Sequence, residues 1–224
     1  SQRVQETFVP ALSVGWEIIV YFRRRMRRFQ DRIKHGRRKD QWRYLFAPYR
    51  GDEVIALDIE TTSMDIKQAE ILSIAAVAIK NNRVMASKKL SLNIQAPANL
   101  PAESVKVHML RRIDLADGSP LPKALEQLLN FVGNRPIVGY YIAYDLAVLD
   151  KAMRPLFGFG LPNRSIDVAS LFRRRLVARG MHDCEMKLGF DDIAEQMHIP
   201  VVGRHTALGD AITTALMYVQ MNAG

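Results

Sequence analysis

The sequence predicts an α/β or α+β domain built on one mixed sheet, with a basic helical extension at its N-terminus. Three strand-like runs follow one another from residue 53. Apolar helical stripes then alternate with a short run of buried-strand character at 136–140. All of the excess positive charge lies in the N-terminal fifth. At 224 residues, 48% hydrophobic and 25% charged, the chain suits one well-buried domain plus an appendage and excludes a disordered or fibrous protein.

The extension is set apart by charge. Residues 1–51 hold 13 Lys/Arg against 4 Asp/Glu, whereas 52–224 hold 19 against 19. With Pro48 and Gly51 as punctuation, the chain divides into an extension, 1–50, and a domain, 52–224. Ile18, Phe22, Met26, Phe29 and Ile33 recur at helical spacing, and Arg23, Arg24, Arg25, Arg27, Arg28, Arg32 and Lys34 occupy much of the remaining surface. Such a helix can lie on a membrane surface, hold nucleic-acid phosphates, or pack its stripe on its own domain or on a second chain, as in a homodimer. The last is favoured, and 1–46 is the segment whose removal should abolish the interaction. The apolar run 8–22, broken by Pro10 and Glu17, is shorter than the roughly 20 residues of a membrane span. Its charges follow the run, unlike those of a signal peptide. A single cysteine, Cys184, offers no intrachain disulfide and favours a cytoplasmic home, peripheral at the membrane if the helix binds there.

Within the domain, residues 53–59, 71–80 and 83–93 read as strands, the last two joined by an Asn81-Asn82 turn. Helices are predicted at 103–110, at 121–133 behind Pro120 and Pro122, and at 143–156, 168–178, 189–197 and 206–221.

The first strand ends in VIALDIETTS, residues 54–63. Strand residues two apart share a face, so Asp58 and Glu60 project together. Two carboxylates on one face repel unless a cation lies between them, and hard divalent ions prefer such oxygen ligands. The D-x-E spacing is weak alone, since it recurs at Asp183 and Glu185 in a polar segment read as surface. A second set lies at Arg204-His205-Thr206-Ala-Leu-Gly-Asp210. In one continuous helix His205 and Asp210 would sit about 140° apart. If Thr206 instead caps the helix, His205 stays on the preceding loop, free to turn toward Asp210.

These stretches resemble a family. Asp58-Ile-Glu60-Thr-Thr looks like the first motif of the DEDDh 3′–5′ exonucleases and His205-Thr-Ala-Leu-Gly-Asp210 like the third, while Asp145 falls where the second supplies its aspartate. The resemblance covers roughly 53–220. Relatives commonly carry His-Asn four or five residues before that aspartate and Phe just ahead of it; here Tyr140, Tyr141 and Tyr144 stand in this stretch. Tyr140 and Tyr141 would stack on a base or pack in the core.

The resemblance implies an RNase H-like fold, a mixed five-stranded sheet flanked by helices with the active site at one end. It implies two Mg²⁺ or Mn²⁺ ions held by Asp58, Glu60, Asp145 and Asp210, His205 as general base, and no organic cofactor. The expected substrate is single-stranded DNA or RNA with a free 3′ end, shortened to nucleoside 5′-monophosphates. Thr61 and Thr62 would meet the terminal nucleotide, and His108 resembles a family position near it, though a structural histidine fits that residue as well. Two rival readings remain: a nucleic-acid-binding module that has lost activity, which predicts a missing ligand, and a membrane-surface or partner-docking protein acting through its basic helix.

Overall fold

A computed structural model of the chain describes residues 26, 30, 31, 33, 34, 41–97, 110–182 and 186–223. Strands β1 (Val54–Thr61), β2 (Ile71–Lys80) and β3 (Arg83–Asn93) form an antiparallel meander. Asn81 and Asn82, with φ of 50° and 56°, make its tight turn. Strands β4 (Ile137–Gly139) and β5 (Ser165–Asp167) add in parallel on the other side of β1, giving the order β3-β2-β1-β4-β5. Helices α1 (Leu121–Val132), α2 (Ala143–Phe157), α3 (Val168–Ala178), α4 (Phe190–Gln196) and α5 (Ala207–Met221) flank the sheet. The helix predicted at 103–110 lies outside the described residues.

Strand alternation divides the core. Ile55, Leu57 and Ile59 of β1 pack with Leu125, Leu128, Leu146 and Leu149 of α1 and α2. Ala56 packs on the opposite face with Val168, Phe172, Ile193 and Met217 of α3, α4 and α5. By the same alternation Asp58 and Glu60 face the side of α5. That helix comes close to β2 where the small side chains of Ala75, Ala207 and Ala211 meet, with Leu208 packed against them. Chain direction divides between β1 and β4, and the C-terminal ends of two such strands form the crevice where open α/β sheets take ligands.

The packed unit begins upstream of the expected boundary at residue 51. Trp42 sets its edge on Phe157 with centroids 6.0 Å apart, Phe46 sets its own on Phe159 at 5.3 Å, and Leu45 is buried with them. Of the two surfaces expected to take the apolar stripe, its own domain or a second chain, the domain leaves two of its positions uncovered: Met26 and Ile33 are 59% and 54% exposed. It is Asp31 that is buried, 3.0 Å from the Arg154 guanidinium on α2. A buried carboxylate needs such a partner, and meeting Arg154 turns Met26 and Ile33 outward. Among the described residues no helix is long and apolar enough to cross a membrane.

Candidate active site

At the crevice, Asp58, Glu60 and Asp210 each present a carboxylate oxygen within 4.8 Å of the others. The sequence separates Asp210 from Glu60 by 150 positions, and α5 brings it back across the sheet. Thr206 does cap that helix: its Oγ1 accepts from the Gly209 N–H at 3.1 Å and donates to the Gly203 carbonyl at 2.6 Å. His205 therefore stays on the loop, exposed, with a φ of 62° rare for a residue other than glycine. Gly209 permits the tight wrap of this loop, since a Cβ there would lie 2.2 Å from the carbonyl oxygens of Val202 and Gly203.

Asp145 arrives from the opposite side, in the first turn of α2, and is buried. Its Oδ1 accepts from the Ile59 N–H at 3.2 Å. Ile55 N–H, in the same row of β1, bonds the carbonyl of Pro136; β4 ends at Gly139, and Asp145 takes up the donor left beyond it. Asp145 thus stands beside Asp58 and outside the tightest group of three.

Burial pushes all four carboxyls up. Asp58 is raised well above the ordinary aspartate range by burial first and then by Asp145, Glu60 and Asp210. Glu60 is pushed to about 7, by burial and Asp210. Asp145 is pushed to about 8 by burial, against its hydrogen bonds to backbone N–H groups. Asp210 is raised by burial, with Arg204 and His205 drawing it back. Its Oδ1 is buried without a hydrogen-bond partner among the described residues. Hard oxygen donors at this spacing, in surplus over nearby positive charge and with an orphaned carboxylate oxygen among them, fit a divalent ion such as Mg²⁺ or Mn²⁺.

The expected substrate residues have partners within the protein. Thr61 Oγ1 lies 2.7 Å from the Tyr144 hydroxyl and 3.2 Å from the Ser63 carbonyl. Thr62 exchanges hydrogen bonds with Glu70, each 3.0 Å: its N–H donates to the Glu70 carbonyl and its Oγ1 accepts from the Glu70 N–H, just past a register slip between Glu60 and Thr61. Tyr140 donates to the Leu188 carbonyl at 3.0 Å, and its ring packs edgewise on Tyr141 and Phe190. Tyr141 turns the corner after β4 at a φ of 44°. His108 lies outside the described residues.

Sequence reasoning assigned no role to two residues that belong here. Arg204 reaches Asp210 Oδ2 at 2.6 Å; a lone arginine abutting a predicted carboxylate set is a legible signal. Tyr144 donates to the Ser63 carbonyl and ties the end of β1 to α2.

The exonuclease family model RNase_T matches residues 55–218, most of the chain and the whole of this site. The chain belongs to this family of DEDDh 3′–5′ exonucleases. It is 25% identical over 167 residues to the DNA polymerase III epsilon subunit of Aquifex aeolicus, covering 75% of this chain and 79% of that one. A PolC-type DNA polymerase III of Clostridium perfringens is 27% identical over 165 residues, 73% of this chain and 11% of that protein. Among solved structures, cell-death related nuclease 4 superposes with a TM-score of 0.65 at 18% identity, over 76% of this chain and 64% of that one. E. coli exonuclease I in complex with a dT13 oligonucleotide gives 0.66 at 13% identity, over 77% and 41%. The RNase H-like five-stranded architecture is thus that of exonucleases.

Proposed function

We propose that the chain removes nucleotides from the 3′ end of single-stranded nucleic acid by metal-dependent hydrolysis, with Asp58, Glu60, Asp145 and Asp210 as the metal-holding set. The convergence of three carboxylate oxygens within 4.8 Å carries this reading. When bound, divalent ions would lower the pKa of the attacking water and stabilise charge on the leaving 3′ oxygen. Asp58 and Glu60, half-buried on one strand, and Asp210, held by the capped start of α5, provide a rigid oxygen frame. Asp145, tied to the backbone of β1, would act from the second side, in part through water. His205, beside Asp210 on a loop open to solvent, would accept the proton of the attacking water, a task suited to imidazole. Thr61, Thr62, Tyr140 and Tyr141 would shape the floor under the terminal nucleotide more through their backbone and rings than through hydroxyls already bonded within the protein.

The structural neighbour E. coli exonuclease I in its ssDNA complex supports a single strand as the substrate. The test is incubation with 5′-labelled single-stranded DNA and RNA in Mg²⁺, in Mn²⁺ and in EDTA. The reading expects a ladder shortening from the 3′ end, lost in EDTA and in Asp58→Ala. Intact substrate under both metals, with folded protein, would sink it in favour of an inactive binding module.

A further inference from the structure

Arg204 pairs with a carboxylate of this set and is held at three points. Nη1 lies 2.6 Å from Asp210 Oδ2, and Nε lies 3.1 Å from Asp191 Oδ1 at the start of α4. The guanidinium carbon sits 4.4 Å from the centroid of the Phe190 ring. Only the Asp210 contact involves the metal-holding set. Asp191 is an exposed carboxylate at the rim, with 66% of its side chain open to solvent, whereas that of Asp210 is 9% open. An arginine stays charged at any working pH and presents several donors in one plane, so it suits exchange between a carboxylate and a phosphate.

Arg204 holds Asp210 Oδ2 while Oδ1 has no hydrogen-bond partner among the described residues; a divalent ion held on this carboxylate with Asp58 and Glu60 would attract it more strongly than a guanidinium does at similar range, and would repel the guanidinium beside it. Release from Asp210 would leave Arg204 tethered by Asp191 and Phe190 beside the place where a phosphodiester must enter. Resting on the metal-dependent reading above, we propose that Arg204 is an exchange cation: the partner of Asp210 in the metal-free site, and a ligand of the substrate phosphate once metal has displaced it.

Displacement gives the effect of removing Arg204 an unusual sign. Arg204→Met keeps a side chain that can lie on Phe190 and removes the competing charge. Titration of the full chain with Mn²⁺ by calorimetry should then show affinity tightened about tenfold, the direction opposite to that of a lost structural contact. In EDTA the variant should melt below wild type, and in saturating Mn²⁺ the two should melt together. On single-stranded oligonucleotide, KM should rise several-fold. Asp191→Asn, which removes the rim tether without touching the metal-holding set, should weaken Mn²⁺ binding by about twofold to threefold.

Mn²⁺ binding that is unchanged or weaker in Arg204→Met overturns the exchange, as does a melting deficit that persists in saturating Mn²⁺. An unchanged KM overturns the phosphate role. Absence of Mn²⁺ binding in the wild type overturns the metal reading itself, and the proposal with it.

Discussion

The two ends of β1 carry glutamates in opposite circumstances. At the N-terminal end Glu53 is met by Arg135 at 2.6 Å, Lys88 at 3.4 Å and Lys80 at 3.5 Å. The hydrogen bond from Arg135, with help from Lys88, holds its carboxyl below the usual range. Seven residues on, Glu60 shares its end with Asp58, Asp145 and Asp210 against the single guanidinium of Arg204, and burial pushes it to about 7. The first end is electrostatically finished by the protein. The second, on the metal-dependent reading, is completed by a cation, and it lies at the strand end that opens into the crevice, where a substrate can reach it.

The largest expected contrast comes from neutralising one acid of the unfinished end. Asp58→Asn should lower turnover on labelled single-stranded DNA by more than the roughly 10–100-fold typical of outer-shell partners of a metal. In EDTA the same change should raise the melting temperature above the pH at which these carboxyls ionise, because it removes a half-buried carboxylate repelled by Asp145, Glu60 and Asp210. An active Asp58→Asn would erase the distinction between the two ends.

Stability against pH separates them next. Without metal, the folded protein keeps protons on Glu60 up to about 7 and on Asp145 up to about 8, whereas unfolded carboxyls release theirs near pH ~4. The native state then binds more protons than the unfolded chain between those limits, so stability is greatest near the lower one and falls as pH rises. Urea melts in EDTA between about pH 5 and 8 should show a loss on the order of a few kcal/mol, and Mn²⁺ at the upper pH should restore it. Glu53 works in the opposite direction, its stabilisation present above the ordinary glutamate range and lost on acidification. A flat or rising curve in EDTA would contradict the assignment of the raised carboxyls.

Smaller effects follow from the supports. Gly209→Ala drives a Cβ against two carbonyl oxygens and should cost about 1–3 kcal/mol in urea unfolding, with a further loss of activity as the loop bearing Arg204 and His205 shifts. Tyr144→Phe removes hydroxyl bonds to Thr61 and Ser63 and should cost about 1 kcal/mol with a modest fall in kcat. Glu53→Gln should change stability by no more than about 1 kcal/mol and leave turnover unchanged; a large loss of turnover would mean that the finished end also serves catalysis.

Much of this contrast was legible in the sequence, because it rests on local periodicity. The alternation of Val54 to Glu60 placed both acids on one face, the Asn81-Asn82 pair marked the β2–β3 turn, and Thr206 marked the start of α5. Other features depend on contacts across the fold. The bond from Ile59 N–H to Asp145 exists because β4 stops at Gly139, and no local pattern encodes that partner. Arg204 acquires its place from a loop with positive φ at Gly203 and His205, conformations that composition does not reveal. The amphipathic spacing of Met26 and Ile33 correctly suggested a helix at those positions, yet the burial of Asp31 against Arg154 decides which way it faces.

The most direct test of the unfinished end is a crystal of the full chain soaked in Mn²⁺, with anomalous scattering collected to locate the ions. Manganese peaks among Asp58, Glu60, Asp145 and Asp210, with none beside Glu53, are the predicted result. A carboxylate cluster without manganese at saturating concentration, or one in which Arg204 and Asp210 remain paired with no ion between the acids, would contradict the claim that metal completes this end of the strand.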